Sequence, residues 1–264
     1  MTLGFGVDAL LPKARGGGQL RMGLVRLSEA DWLQPDPDLQ ARARAFADWP
    51  EGIELTPDAA APGHELAAML GVEGALAQAA CAAHEDMCLL TKAREDDCYR
   101  LIGAAVAWPS DWHPADKIGL ALRALHAPIA GYEEQLADGV DRFMDTLRPG
   151  MIFGRCNWFI AATPARRWIE PRPPGEAFAH VTPHNAGEAL FVRSERQTLR
   201  RLPQTGAIVF TIGIYVEPLG ALETANIDML AKAVRSLVSG EGERRGAPAY
   251  ANSLIEYAAQ RSVS

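Results

Sequence analysis

The chain has 264 residues, 48% of them hydrophobic, which is enough apolar surface for the core of one large domain with an added lobe. Its formal net charge of -7 argues against a nucleic-acid partner, because that role needs basic residues to neutralise phosphates. No apolar run reaches the roughly 18 to 20 residues of a membrane span, and the N-terminal segment lacks the order of a signal peptide. We therefore expect a cytoplasmic protein that binds neither membranes nor nucleic acid.

The N-terminal part of the chain predicts helices. Residues 36–49 carry apolar side chains at helical spacing, with Asp36 as the expected N-cap and Pro37 in the first helical position. An alanine-rich stretch, 62–84, predicts a second helix. We interpret residues 1–85 as a helical extension packed on the core.

Five strands are predicted after this extension. The first two form a hairpin, and the turn Pro203–Gly206 joins the last two as an antiparallel pair. The five segments are 87–92, 99–108, 151–163, 189–202 and 206–219.

Helices are predicted between and after the strands. Residues 114–125 and 133–147 show apolar stripes at helical spacing, as does 225–238 near the end of the chain. The long irregular stretch 164–187 is typical of a binding loop or lid.

The order of these elements, two strands, helices and three strands, is that of a PAS domain. The fold class is therefore α+β, with a PAS-like five-stranded antiparallel sheet, helices on one face and an N-terminal helical extension. The expected boundaries place the PAS-like domain at 86–240 and a C-terminal tail with a short helix at 241–264.

Polar residues fill the middle of strand 189–202. Alternation puts Arg193 and Glu195 on one side of this strand and Ser194 and Arg196 on the other. Such a polar face can line a pocket, where Glu195 would hold an ammonium group and Arg193 would contact oxygen or a carboxylate. The alternative is a ladder of cross-strand ion pairs on a solvated face.

Two histidines are candidate metal ligands. His126 ends a helix with apolar neighbours and could ligate a haem iron, although a histidine there can also bind the last carbonyls of its helix. His184 lies where the long loop enters a strand, four residues after His180. Pro183 argues against a helix there, and the alternative for both loop histidines is solvent exposure.

Cationic and amide side chains complete the candidate site. Arg155 and Asn157 share one strand face and could anchor haem propionates, and Lys117 could pair with a propionate or lie on the surface. The four cysteines, Cys81, Cys88, Cys98 and Cys156, show no metal-binding spacing and are interpreted as small buried side chains, with a thiolate iron ligand as the alternative.

Several motifs in one order make the chain resemble the haem-dependent oxidative N-demethylase alpha-subunit-like family. They are the segment RMGLVRLSEADWLQPDPDLQARARAF, the stretch AWPSDWHPADKIGLALRALHAPIAGY, the group Arg155, Asn157 and Trp158, and the run from Arg193 to Leu199. One departure is Ala130, where a second proline is expected after His126.

This resemblance implies a haem b in this chain, held in a PAS fold with His126 as its proximal ligand. It implies O2-dependent N-demethylation of a small amine such as dimethylamine, with FMN, a 2Fe–2S centre and NADPH on separate reductase subunits. Two alternatives remain open: a non-catalytic haem-binding or gas-sensing PAS module, and a haem-free relative that binds small molecules.

Overall fold

The computed structural model describes residues 2–14, 21–93, 98–235 and 245–261. Within these residues the helices and strands form an α+β structure with one seven-stranded antiparallel sheet. None of the helices described is long and apolar enough to cross a membrane.

The five predicted strands are all present, and the sheet also contains two more. The seven strands are β1 (Val25–Leu27), β2 (Ile53–Leu55), β3 (Asp86–Thr91), β4 (Arg100–Ala105), β5 (Ile152–Ala161), β6 (Phe191–Arg201) and β7 (Ile208–Pro218). Their order across the sheet is β1-β5-β6-β7-β3-β4-β2. The prediction of five strands was therefore wrong in number, because β1 and β2 are three-residue edge strands too short to show a period of two.

Pairing with longer neighbours forms these two edge strands. Val25 lies opposite Gly154 of β5, and Ile53 lies opposite Ala105 of β4. Both extra strands lie within residues 1–85, the segment interpreted as a helical extension. Residues 94–97, which belong to the predicted turn between β3 and β4, lie outside the described residues.

The α-helices are shorter than predicted in several places. They are α1 (Val7–Leu10), α2 (Leu39–Ala47), α3 (Ala60–Met69), α4 (Leu76–Cys81), α5 (Leu122–His126), α6 (Asp138–Thr146), α7 (Pro174–Ala177), α8 (Ala186–Ala189), α9 (Thr224–Arg235) and α10 (Ala247–Arg261). A π-helix, Glu133–Ala137, leads directly into α6. Short 3-10 helices cover Leu11–Lys13, Glu29–Asp31, Pro50–Gly52, Pro57–Ala59, Pro114–Asp116 and Leu219–Ala221.

Three helix predictions need correction. The carboxylate of Asp38, and not that of Asp36, caps α2 by accepting from the backbone N–H of Ala41 over 2.9 Å. The alanine-rich helix divides into α3 and α4, because Gly71 and Gly74 adopt positive φ angles of 72° and 110°. The helix predicted over 114–125 is a 3-10 turn followed by α5.

The contacts among residues divide the chain into two compact units. Unit 1 combines Leu20–Arg155 with Arg196–Gly213 and the first two residues, and unit 2 combines Leu3–Gln19 and Cys156–Glu195 with Ile214–Ser264. The core of unit 1 contains Leu101, Leu122, Leu147 and Ile208. The core of unit 2 contains Ile160, Leu190, Leu230 and Leu254.

Candidate functional site

His126 is the last residue of α5, as predicted, and its ring is held in a defined state. Its Nδ1 lies 2.8 Å from the carbonyl oxygen of Leu122, one turn earlier. Because a carbonyl can only accept a hydrogen bond, Nδ1 carries a proton, and in the neutral imidazole the lone pair is then on Nε2. Burial lowers the pKa of His126, and the positive charges of Arg155 and Lys117 lower it further. The imidazole is therefore neutral near pH 7, with Nε2 as the nitrogen able to bind a metal.

An aromatic ring covers one face of this imidazole. The ring of Tyr132 lies parallel to that of His126, with 4.5 Å between the centroids and 9° between the planes. Tyr132 is buried at 5% exposure, and burial is the main cause that raises the pKa of its phenol to about 12. The phenol therefore stays protonated over the whole physiological range.

A tight turn produces this stacking. The N–H of Ile129 donates to the carbonyl of His126 over 2.9 Å, and the N–H of Tyr132 donates to that of Ile129 over 3.1 Å. Gly131 has a φ of 79°, a conformation that residues with a side chain rarely adopt. The turn is well hydrogen-bonded although Ala130 replaces the expected proline, so this departure leaves the turn after His126 intact.

Arg123 fixes the helix that carries His126. Its guanidinium forms ion pairs with Asp138 and Asp141, each over 2.7 Å, and with Glu133. These carboxylates raise the pKa of Arg123 above its already high value. They belong to the π-helix and α6, so this single side chain ties α5 to the next helical segment of unit 1.

Two further predicted residues, Arg155 and Lys117, lie in unit 1 close enough to His126 to influence its charge. The Nε of Arg155 donates to the side-chain oxygen of Gln197 over 2.7 Å, which orients the guanidinium. The Nζ of Lys117 donates to the carbonyl of Leu125 over 3.3 Å. The positive charges of Arg155 and Lys117 therefore both act on the imidazole of His126.

Arg193 and Glu195 belong to unit 2 and are both buried, at 0% and 7% exposure. The solvated-face interpretation of this strand was therefore wrong, because every residue from 192 to 200 in β6 is shielded from solvent. Arg193 donates to the carbonyl of Ala165 over 3.3 Å, and its guanidinium lies 6.0 Å from the ring centre of Trp168. Charged groups buried in this way need specific partners, which is typical of functional sites.

The other predicted residues of unit 2 are more accessible. Asn157 is half-buried in β5, and His184 is exposed, as is His180. His184 borders an open cavity of about 410 Å³ that Glu188, Tyr257 and Arg261 also line. Neither histidine lies in a helix, as Pro183 predicted, and the described residues contain no cluster of three or more metal-ligating side chains.

The expectation that the cysteines are small buried side chains holds for two of the four, since Cys81 and Cys98 are only half-buried. Cys88 and Cys156 are buried, and burial raises the pKa of the Cys88 thiol far above its usual range. The Sγ of Cys156 donates to the carbonyl of Leu10 over 3.3 Å. Burial therefore keeps the Cys88 thiol protonated, which disfavours its ligation of iron as a thiolate.

Sequence reasoning missed several residues around these groups. The ring of Tyr132 stacks on that of His126, and the side chain of Gln197 accepts from Arg155. The indole Nε1 of buried Trp168 has no hydrogen-bond partner. Glu85 is fully buried, with one carboxylate oxygen unpartnered and a pKa raised to about 6 by burial. The sequence did carry one signal for these buried acids: Glu85 and Asp86 are adjacent at the start of an apolar strand.

A comparison with protein families supports the resemblance noted from the motifs. The family model described as "Haem-dependent oxidative N-demethylase, alpha subunit-like" matches residues 58–255, which is more than half of the chain. The matched range includes α5, the turn to Tyr132, β5 and the buried strand β6. The chain therefore belongs to the haem-dependent oxidative N-demethylase alpha-subunit-like family.

Proposed function

We propose that this protein is the haem-binding subunit of an O2-dependent enzyme that removes an N-alkyl group from a small amine such as dimethylamine. The observation that carries the proposal is His126, whose Nδ1 is occupied by the Leu122 carbonyl and whose Nε2 keeps its lone pair. The family description, which names haem, oxidative N-demethylation and an alpha subunit, supports the same function.

The residues of unit 1 fit a haem b. A neutral imidazole is the axial ligand that haem iron takes in many proteins, and its other nitrogen is usually hydrogen-bonded to a carbonyl or carboxylate. Arg155 and Lys117 supply positive charge near His126 and would pair with the two propionates. Haem, when bound, supplies the redox chemistry with O2 that no side chain of this protein can provide.

The remaining roles belong to the protein itself. His126 would hold the iron through Nε2, while the hydrogen bond to Leu122 sets the tautomer. Glu195 would accept hydrogen bonds from the ammonium group of the substrate, and its burial would strengthen that attraction. Arg193, fully buried, would offer guanidinium N–H donors to an oxygen atom or a carboxylate. Asn157 would add an amide donor, and His184 is retained only as the rival iron ligand.

Partner proteins are part of the proposal. The name of the family refers to an alpha subunit, which implies an enzyme with more than one kind of subunit. Electrons would come from a separate reductase carrying FMN and a 2Fe–2S centre, with NADPH as the donor.

We also propose that residues 86–240 form a PAS-like haem domain in the cytoplasm, between the extension 1–85 and the tail 241–264. The order of the five predicted strands along the chain supports this assignment.

The first test is spectroscopic. The protein is reconstituted with haem, and ultraviolet–visible spectra are recorded in the oxidised and dithionite-reduced states for wild type, His126→Ala and His184→Ala. We expect a Soret band that collapses or shifts in His126→Ala, returns with added imidazole, and is unchanged in His184→Ala. If only His184→Ala altered the Soret band, the iron ligand would be His184 and not His126. The absence of a Soret band from wild type and both variants would refute haem binding.

The second test separates catalysis from haem binding. Haem-loaded wild type and Glu195→Gln are supplied with dimethylamine, O2 and a reductase, and formaldehyde is measured. We expect formaldehyde from wild type and a large loss in Glu195→Gln with the Soret band retained. Haem binding without turnover of any small amine tested would favour the gas-sensing or haem-binding module instead.

A further inference from the structure

The imidazole of His126 is restrained in two directions at once. The hydrogen bond from Nδ1 to the Leu122 carbonyl acts in the plane of the ring, over 2.8 Å. The stacked Tyr132 ring acts perpendicular to that plane, with 4.5 Å between the centroids. Rotation of the imidazole about its Cβ–Cγ bond would break the hydrogen bond and also drive the ring into the phenol.

We infer that Tyr132 is a positioning residue that fixes the orientation of the His126 ring and thereby presets the direction of its Nε2 lone pair. This inference deepens the proposed function and rests on it for the identity of the metal. It does not depend on the charge of either ring, because the geometry alone limits rotation. Parallel ring pairs of this kind contribute beyond the area they bury.

Stacking is compatible with iron ligation for a simple electronic reason. The lone pair of Nε2 lies in the plane of the imidazole, so a ring covered on one face can still bind iron at its edge. The phenol therefore restrains the ligand without competing for the nitrogen. A ligand held in its bound orientation loses less conformational entropy when the metal arrives.

The backbone between the two residues brings the rings of His126 and Tyr132 together. Six positions separate the two rings, and the turn that joins them uses the Ile129 and Tyr132 hydrogen bonds and the positive φ of Gly131. Tyr132 is itself buried at 5% exposure and immediately precedes the π-helix Glu133–Ala137. Its ring is thus held by the structure behind it and can act as a fixed surface for His126.

The first readout needs no haem. Proton NMR of the haem-free protein, with selectively labelled histidine, is recorded for wild type, Tyr132→Phe and Tyr132→Leu, with Tyr257→Leu as a control from unit 2. We expect a ring-current shift of the His126 ring protons that persists in Tyr132→Phe, is lost in Tyr132→Leu and is unaffected in Tyr257→Leu. His126 signals unchanged by Tyr132→Leu would overturn the inference.

The second readout uses the haem-loaded proteins. Transfer of haem to an excess scavenger is timed, and the iron–histidine stretching band of the reduced proteins is recorded. From the size of aromatic pairing we expect haem loss to be about three- to tenfold faster in Tyr132→Leu, with a shifted or broadened band, and near wild type in Tyr132→Phe. Wild-type rates and band in Tyr132→Leu, despite the lost ring-current shift, would also overturn the inference.

The two proposals can fail separately. If wild type takes up no haem, the proposed function fails, and the positioning of His126 by Tyr132 is then decided by the haem-free NMR readout. If Tyr132→Leu does not fold, as judged by circular dichroism, Tyr132→Met replaces it with a flexible side chain of similar volume that also lacks an aromatic ring.

Discussion

Arg42 donates to the carboxylate of Asp86 over 2.7 Å, and both side chains are closed to solvent, at 0% and 1% exposure. Two further donors of this guanidinium reach the carbonyls of Ala80 and Glu85, so all three of its nitrogens make a hydrogen bond. The rings of Phe46 and Trp108 each lie 4.7 Å from the guanidinium carbon. This ion pair anchors α2 to the start of β3 within unit 1.

Removal of Arg42 should therefore be strongly destabilising. In Arg42→Ala the carboxylate of Asp86 stays buried without its charge partner, and we expect a loss of about 3 to 5 kcal/mol in the free energy of unfolding. Urea unfolding at pH 7 measures this loss. Arg44→Ala, an exposed arginine of the same helix, is the matched control and should change stability by less than about 0.5 kcal/mol. Equal effects of the two substitutions would contradict this account.

Glu85 predicts a specific dependence of stability on pH. Its pKa in the folded state, about 6, lies above the ordinary value of 4.5, so the fold favours the protonated carboxyl. The contribution of Glu85 is most favourable below pH 4.5 and is progressively lost as the pH rises through about 6. Between pH values well below 4.5 and well above 6 we expect wild type to lose about 2 kcal/mol relative to Glu85→Gln, which cannot ionise.

Unfolding experiments at several pH values test this expectation. The difference in the free energy of unfolding between Glu85→Gln and wild type should shift in favour of the variant between pH 4.5 and 7. Glu73→Gln, which alters an exposed carboxyl, should give a smaller change. A difference for Glu85→Gln that stays constant over this range would show that Glu85 has no raised pKa in the folded protein.

Arg123 should matter more for the haem site than for global stability. Its side chain is 36% exposed, so solvent screens these ion pairs and we expect Arg123→Ala to leave the free energy of unfolding nearly unchanged. Release of α5 from Asp138 and Asp141 should nevertheless loosen the helix that carries His126. Haem retention after reconstitution should fall in Arg123→Ala and stay at the wild-type level in Arg148→Ala, an exposed arginine after α6. Equal haem retention in all three proteins would count against a role for the Arg123 ion pairs.

Replacing two different glycines by alanine should change the stability of the protein in opposite directions. Gly131 has a φ of 79°, so Gly131→Ala should strain the turn after His126 and destabilise the fold by about 1 kcal/mol. Gly139 lies inside α6, and a Cβ there would meet only the Cε of Met22 at 4.0 Å. Gly139→Ala should therefore stabilise the protein by about 0.5 to 1 kcal/mol. Thermal unfolding compares the two variants, and stabilisation by Gly131→Ala would contradict the turn geometry.

The sequence alone was sufficient for the α+β class, for five of the seven strands that the described residues form and for His126 at the end of a helix. These features are local: a strand of six or more residues shows its period, and a proline near residue 126 limits the helix before it. The family could also be identified from the motifs, because several of them occur in one order. The family match over residues 58–255 confirms that identification.

Other features depended on contacts between distant parts of the chain. The edge strands β1 and β2 exist because β5 and β4 offer unpaired backbone groups, which no three-residue pattern can reveal. Arg42, Arg193 and Glu195 are buried because other elements of the fold cover them. The sequence alone does not predict this burial, since charged residues usually lie on the surface. The stacking of Tyr132 on His126 likewise needed the exact path of the turn, because ring orientation is set by backbone angles and packing that spacing alone does not determine.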